Sequence, residues 1–150
     1  MQFVSAADVL NYAIKQEEAT SSYYESAADA VKDPDIKTIF RTLAAEEIKH
    51  RKCLTDFELG KNPGFDSITY TINHYEEHPK GIAFKLNFSK KEILDYAINT
   101  EKESEYFYCS LAQATEELED LRKLFLTLAS IENQHIVKLT TLYNHPFFQN

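Results

Sequence analysis

Glycine and proline are scarce in this chain, three and four residues among 150. Strand-and-turn folds draw heavily on both, so the shortage points away from them and toward long helices. Only two cysteines occur, Cys53 and Cys109, and they form neither a CxxC pair nor a disulfide framework. A reduced, cytoplasmic protein is the expectation, with both thiols read as small buried side chains. Positive charge is also short: 16 Lys and Arg face 24 Asp and Glu, a formal net charge of −8. That balance argues against nucleic-acid or anionic-membrane partners. No apolar run approaches the roughly 20 residues of a membrane span. The opening MQFVSAADVL lacks the basic start and apolar centre of a signal peptide. What is abundant is Leu, Ile, Ala, Glu and Lys, good helix formers. The length suits a single domain, 1–150, that buries a core without disulfides.

The chain repeats itself. An offset of 84 lays Asp8–Ala28 on Glu92–Ala112, matching Leu10 with Leu94, Tyr12 with Tyr96, Ala13 with Ala97, Ile14 with Ile98, Glu17 with Glu101 and Tyr24 with Tyr108. An offset of 85 matches Phe40 with Phe125, Leu43 with Leu128, Ala44 with Ala129, Glu47 with Glu132 and His50 with His135. Each half reads as two helices joined by a short connection, hence as an antiparallel hairpin. Ser5 with Asp8 is a weak capping box for the first helix. Asp33-Pro34 places an N-cap before proline at the first helical position, and the second helix runs to Leu59 with Gly60 as its C-terminal stop. Ser89 with Glu92 caps the third helix; the fourth opens near Thr115 to Glu117 and runs to about Tyr143. The expected organisation is therefore a hairpin over 5–59, a crossover over 60–88, a hairpin over 89–143 and a tail over 144–150. A helix of about 26 residues is about 39 Å long, a distance this crossover can span. That makes helices two and three parallel, in an up-down-down-up four-helix bundle. Ser67 to Tyr75 accommodates either a short strand or a helical turn.

Helical spacing assigns a core stripe to each helix. The first carries Leu10, Ile14, Glu17, Ser21, Tyr24, Ala28 and Val31; the second Ile36, Phe40, Leu43, Glu47, His50, Leu54 and Phe57. The third carries Leu94, Ile98, Glu101, Glu105, Tyr108 and Ala112; the fourth Leu121, Phe125, Leu128, Glu132, His135, Leu139 and Leu142. Every stripe is apolar at its ends and polar in its middle. A buried, unpartnered carboxylate costs several kcal/mol, and no Lys or Arg lies on these stripes. Two divalent cations would balance Glu17, Glu47, Glu101 and Glu132 while His50 and His135 stay neutral. In each Glu-x-x-His the i and i+3 side chains share a face and offer one oxygen and one nitrogen. Carboxylate with imidazole suits iron, manganese or zinc. Tyr24 and Tyr108, two turns after Glu17 and Glu101 on the same face, are either core tyrosines or side chains that back the ligands.

Glu17 with Tyr24, EEIKH ending at His50, Glu101 with Tyr108, and IENQH ending at His135 resemble the ferritin-like superfamily, in which Glu on two helices and Glu-x-x-His on the other two hold two metals. Within it, AIKQEEATSSYYESAA and DPDIKTIFRTLAAEEIKH are most similar to short rubrerythrin-type proteins. The resemblance implies an all-α, ferritin-like bundle with a di-iron site, manganese or zinc being alternatives, and with neither haem nor rubredoxin iron. It implies Glu47 and Glu132 as bridging ligands, Glu17 and Glu101 as terminal ones, and one histidine for each metal. It further implies reduction of hydrogen peroxide or dioxygen with electrons from an external donor such as a rubredoxin-type protein. A homodimer is the expected assembly. Rubrerythrins carry an additional third-helix carboxylate three residues from the first. Ile98 and Ser104 stand at those distances from Glu101, and Glu105 is the nearest replacement.

Two other readings compete. The same six ligands resemble bacterioferritin, an iron-handling protein, but Met1 is the only methionine and no fifth short helix is evident. A structural bundle holding a redox-silent metal is the third. HYEEH, His74 to His78, matches an H-x-x-E-H zinc-protease pattern, which needs a continuous helix that Pro79 and Gly81 oppose. In HPFFQN at the end of the chain, Phe147 and Phe148 require a surface to cover them.

Overall fold

The computed structural model describes residues 2–3, 6–57, 70–71 and 89–146. The chain divides into two compact units, Met1–Ala83 and Phe84–Asn150. The first holds β1 (Gln2–Phe3), α1 (Ala6–Ala30), α2 (Pro34–Asp56) and β2 (Tyr70–Thr71); the second holds α3 (Lys90–Ala114) and α4 (Glu119–Tyr143).

In the first unit, α1 and α2 pack as an antiparallel hairpin. Residues later in α1 meet residues earlier in α2: Glu17 faces His50, Ser21 bonds Ala44, and Tyr24 stacks on Phe40. The reversal is sharp because Asp33 and Pro34 fix it. The Asp33 carboxylate accepts from the backbone N–H of Asp35 and Ile36, at 2.9 and 3.1 Å, so two amides that α2 cannot pair internally are satisfied. Pro34 follows at a position where no N–H is needed. The far end departs from expectation. Helix α2 stops at Asp56, and Phe57, at φ −67° and ψ 120°, is its C-cap; Gly60 lies outside the described residues. The capping box at Ser5 likewise lies outside the residues whose side chains are described. A two-residue antiparallel bridge pairs Gln2 with Thr71 and Phe3 with Tyr70. Of the two forms open to the stretch around Ser67 to Tyr75, a short strand is therefore present at Tyr70–Thr71; the rest of the 60–88 crossover, including HYEEH, lies outside the described residues.

The second unit repeats the hairpin with α3 and α4. Ser89 caps α3 by accepting from the Glu92 N–H at 3.1 Å. Thr115 corrects an expectation. It belongs to the end of α3 rather than the start of α4, because its buried hydroxyl donates back to the Leu111 carbonyl at 2.7 Å and its N–H bonds the same oxygen at 3.0 Å. Helix α4 begins only at Glu119, after Leu118, which supplies no side-chain cap.

The core stripes are buried where expected, from Leu10, Tyr24 and Phe40 in one unit to Leu94, Tyr108 and Phe125 in the other. At the margins, Ile14, Phe57 and Leu142 are only half-buried. On α1 the buried face extends instead to Val9, Ala13 and Gln16. The aromatic packing also repeats. Tyr24 stacks on Phe40 at 5.9 Å and Tyr108 on Phe125 at 6.2 Å, both with 23° between ring planes. Tyr23 and Phe107, equivalent under the repeat, flank these tyrosines at 5.4 and 5.5 Å.

Candidate metal centre

Helix α1 presents Glu17 and α2 presents Glu47 and His50 to one place in the first unit. The Nδ1 atom of His50 lies 3.3 Å from Glu47 Oε2 and 3.6 Å from Glu17 Oε2. The second unit reproduces the arrangement: His135 Nδ1 lies 3.4 Å from Glu132 Oε2 and 3.5 Å from Glu101 Oε2. None of the six residues is more than 4% exposed. In each triad one ligand atom from every residue lies within 4.8 Å of the others. All six residues read from the sequence as ligands are therefore brought together in threes.

These separations suit a cation. Ligand bonds of about 2.0–2.2 Å to a first-row dication, meeting at about 100°, place neighbouring donors about 3.0–3.4 Å apart. The observed 3.3 to 3.6 Å spacings are close to that and longer than a good N–H···O bond. Electrostatics agree. Burial pushes the Glu17 pKa well above its usual 4.5, the charge of Glu47 and a hydrogen bond with it push further, and only His50 opposes them. The bare triad thus favours a proton where a bound cation would favour the carboxylate. Two carboxylates and an imidazole, buried and thiolate-free, fit iron, manganese or zinc.

Tyr24 and Tyr108 are fully buried, each stacked on a phenylalanine. Glu105 departs from the core stripe. It is half-buried and accepts a hydrogen bond from Asn133 Nδ2, an exposed side chain, at 3.2 Å, and it belongs to neither triad. Ser21 was legible as a stripe residue but not as a bond donor: its buried hydroxyl donates to the Ala44 carbonyl across the hairpin at 3.1 Å. Thr20, also buried, bonds back to the Gln16 carbonyl at 2.9 Å. The cysteines correct another expectation. Cys53 and Cys109 are both exposed and not disulfide-bonded. Each sits beside a stripe residue rather than on it, next to Leu54 and Tyr108, which take the buried positions. Partial desolvation, and then the Glu105 carboxylate, raise the pKa of the Cys109 thiol.

Residues 8–90 and 92–149 match the family model for rubrerythrin. The chain belongs to the rubrerythrin family. Solved structures agree with a rubrerythrin-type fold. A Thermotoga maritima protein described as a ferritin-like diiron-carboxylate protein is 26% identical, with a TM-score of 0.77 over 94% of this chain and 95% of that one. A hypothetical protein from Pyrococcus furiosus is 25% identical, with a TM-score of 0.70 over 90% of this chain and 85% of that one. No curated protein matches the chain. The fold class of this rubrerythrin-family chain is therefore all-α and ferritin-like, a four-helix-bundle class. Among the described residues no helix is long and apolar enough to cross a membrane.

Proposed function

We propose that the chain is a di-iron carboxylate oxidoreductase that reduces hydrogen peroxide or dioxygen with electrons from an external donor. The observation that carries this reading is the repetition of one buried Glu/Glu/His triad in both halves of a rubrerythrin-family chain. Glu17, Glu47 and His50 would hold one metal and Glu101, Glu132 and His135 the other. Four carboxylates then balance two dications, and both histidines remain neutral ligands. Two ferrous ions would supply the two electrons needed to cleave an O–O bond. The protein's own contribution is to bury the ligands and to hold them at donor separations of 3.3 to 3.6 Å.

The same reading includes a homodimer, a rubredoxin-type donor, a role in oxidative stress and a cytoplasmic setting. The last is supported by two exposed cysteines that are not disulfide-bonded. Stopped-flow oxidation of the anaerobic, iron-loaded protein tests the function. Faster reaction with peroxide than with dioxygen is expected. Faster reaction with dioxygen together with mineral accumulation would assign the chain to iron handling, and no reaction with either would leave a structural metal bundle.

A further inference from the structure

The two hairpins match each other at the triads and part company one turn away. Ser21 and Glu105 are equivalent under the 84-residue offset; Ala44 and Ala129, and Ile48 and Asn133, are equivalent under the 85-residue offset. In the first half Ser21, 7% exposed, donates to the Ala44 carbonyl at 3.1 Å. Ser21 stands one turn after Glu17, and Ala44 three residues before Glu47. This single buried bond therefore locks together the two backbones that carry the ligands. In the second half the corresponding residue is a carboxylate, which cannot donate to a carbonyl. Glu105 instead turns outward and accepts from Asn133 Nδ2 at 3.2 Å, beside Glu132. Among the described residues, no α3 side chain bonds the Ala129 carbonyl.

These ties differ in strength. A buried hydrogen bond to backbone acts in a low dielectric and anchors a rigid element. A bond between a half-buried carboxylate and an exposed amide competes with water and fixes only two rotatable side chains. Preorganised ligands lose less freedom when a cation binds.

We propose that the two metal subsites are inequivalent: the Glu17/Glu47/His50 subsite loads first and holds its metal more tightly, with Ser21 as its positioning residue. The Glu101/Glu132/His135 subsite, lacking that tie, is the labile one. This inference rests on the metal-binding reading above.

The test is a titration of the metal-free full chain with Co²⁺. Calorimetry gives the two affinities, and paramagnetic shifts of labelled histidine identify which subsite fills. The His50 resonances are expected to shift before those of His135. Ser21→Ala should weaken the first step by about two- to tenfold, the upper end being the worth of one whole buried hydrogen bond, and leave the second within about twofold. Ser21→Thr, which keeps the hydroxyl, should restore the first step. Glu105→Ser gives the second half the missing donor and should tighten the second step, a gain that general destabilisation cannot produce. It also keeps the test open should Ser21→Ala fail to fold. Simultaneous filling of both subsites, or an unchanged ratio of the two steps in both Ser21→Ala and Glu105→Ser, overturns the inference while leaving the metal centre intact. Absence of any Co²⁺ binding overturns the metal-binding reading itself.

Discussion

Replacing Glu47 with glutamine should have opposite effects on stability with and without metal. The substitution keeps shape and hydrogen-bonding capacity but removes one buried charge. Without metal that charge is a liability: Glu47 is the largest contributor, after burial, to the upward push on Glu17. Their ligand oxygens lie within 4.8 Å. At an effective dielectric of about 20, two unit charges at such a distance repel by about 3 kcal/mol. Protonation of Glu17 already relieves part of this, so Glu47→Gln should stabilise the metal-free protein at pH 8 by about 1–2 kcal/mol. With metal the sign reverses. A cation present at about 100 times its dissociation constant stabilises the fold by about 2.7 kcal/mol. Weakening its binding about a hundredfold leaves only about 0.4 kcal/mol of that. Set against the 1–2 kcal/mol gained by the metal-free fold, the net loss of about 0.3–1.3 kcal/mol lowers Tm by roughly 1–5 °C for a chain of this size. Thermal denaturation followed by circular dichroism, in chelator and in excess Co²⁺, reads both arms. An equal fall in Tm under both conditions would show that Glu47 is an ordinary packed side chain and refute the electrostatic reasoning.

Three further outcomes follow from other parts of the structure. The metal-free protein should be more stable at mildly acidic than at alkaline pH. The raised Glu17 pKa means that the folded state binds a proton more tightly, so stability is lost as pH rises above the usual 4.5 and through the folded value; a flat profile of urea midpoints between about pH 5 and 8 would contradict it. Asp33→Ala removes both cap bonds at the α2 N-terminus and should cost about 1 kcal/mol, read as a lower urea midpoint with unchanged slope. Phe125→Ala deletes a fully buried ring stacked on Tyr108 and should cost about 3–5 kcal/mol in the same assay. A loss below about 1 kcal/mol would show that the site collapses readily or is not tightly packed.

The parts of this protein that were legible in the sequence are those imposed by strong local chemistry. Asp33 before Pro34 and Ser89 before Glu92 specify helix starts, because each side chain accepts from amides that have no intrahelical partner. The triads were legible because an i, i+3 pair must share a helix face and because the chain states the pattern twice. Rotation about a helix axis is less well determined. Cys53 and Cys109 lie only one residue from buried positions, yet that step of about 100° carries each to the surface. Glu105 fits the stripe by spacing, but an exposed partner at Asn133 draws it outward. Thr115 serves equally well by composition as an opening or closing residue, and its bonds to Leu111 decide for the latter. The Gln2–Phe3 strand is too short for any periodicity to announce it, since two residues define no alternation.

Counting metal atoms per chain tests whether the six buried ligands hold two metals. Protein loaded with ferrous iron under anaerobic conditions and freed of excess should contain two irons per chain by elemental analysis. The double variant Glu47→Ala/Glu132→Ala, folded by circular dichroism, should contain almost none. Retention of two irons by that double variant, or no iron in the parent chain, would show that these residues do not hold a two-iron centre.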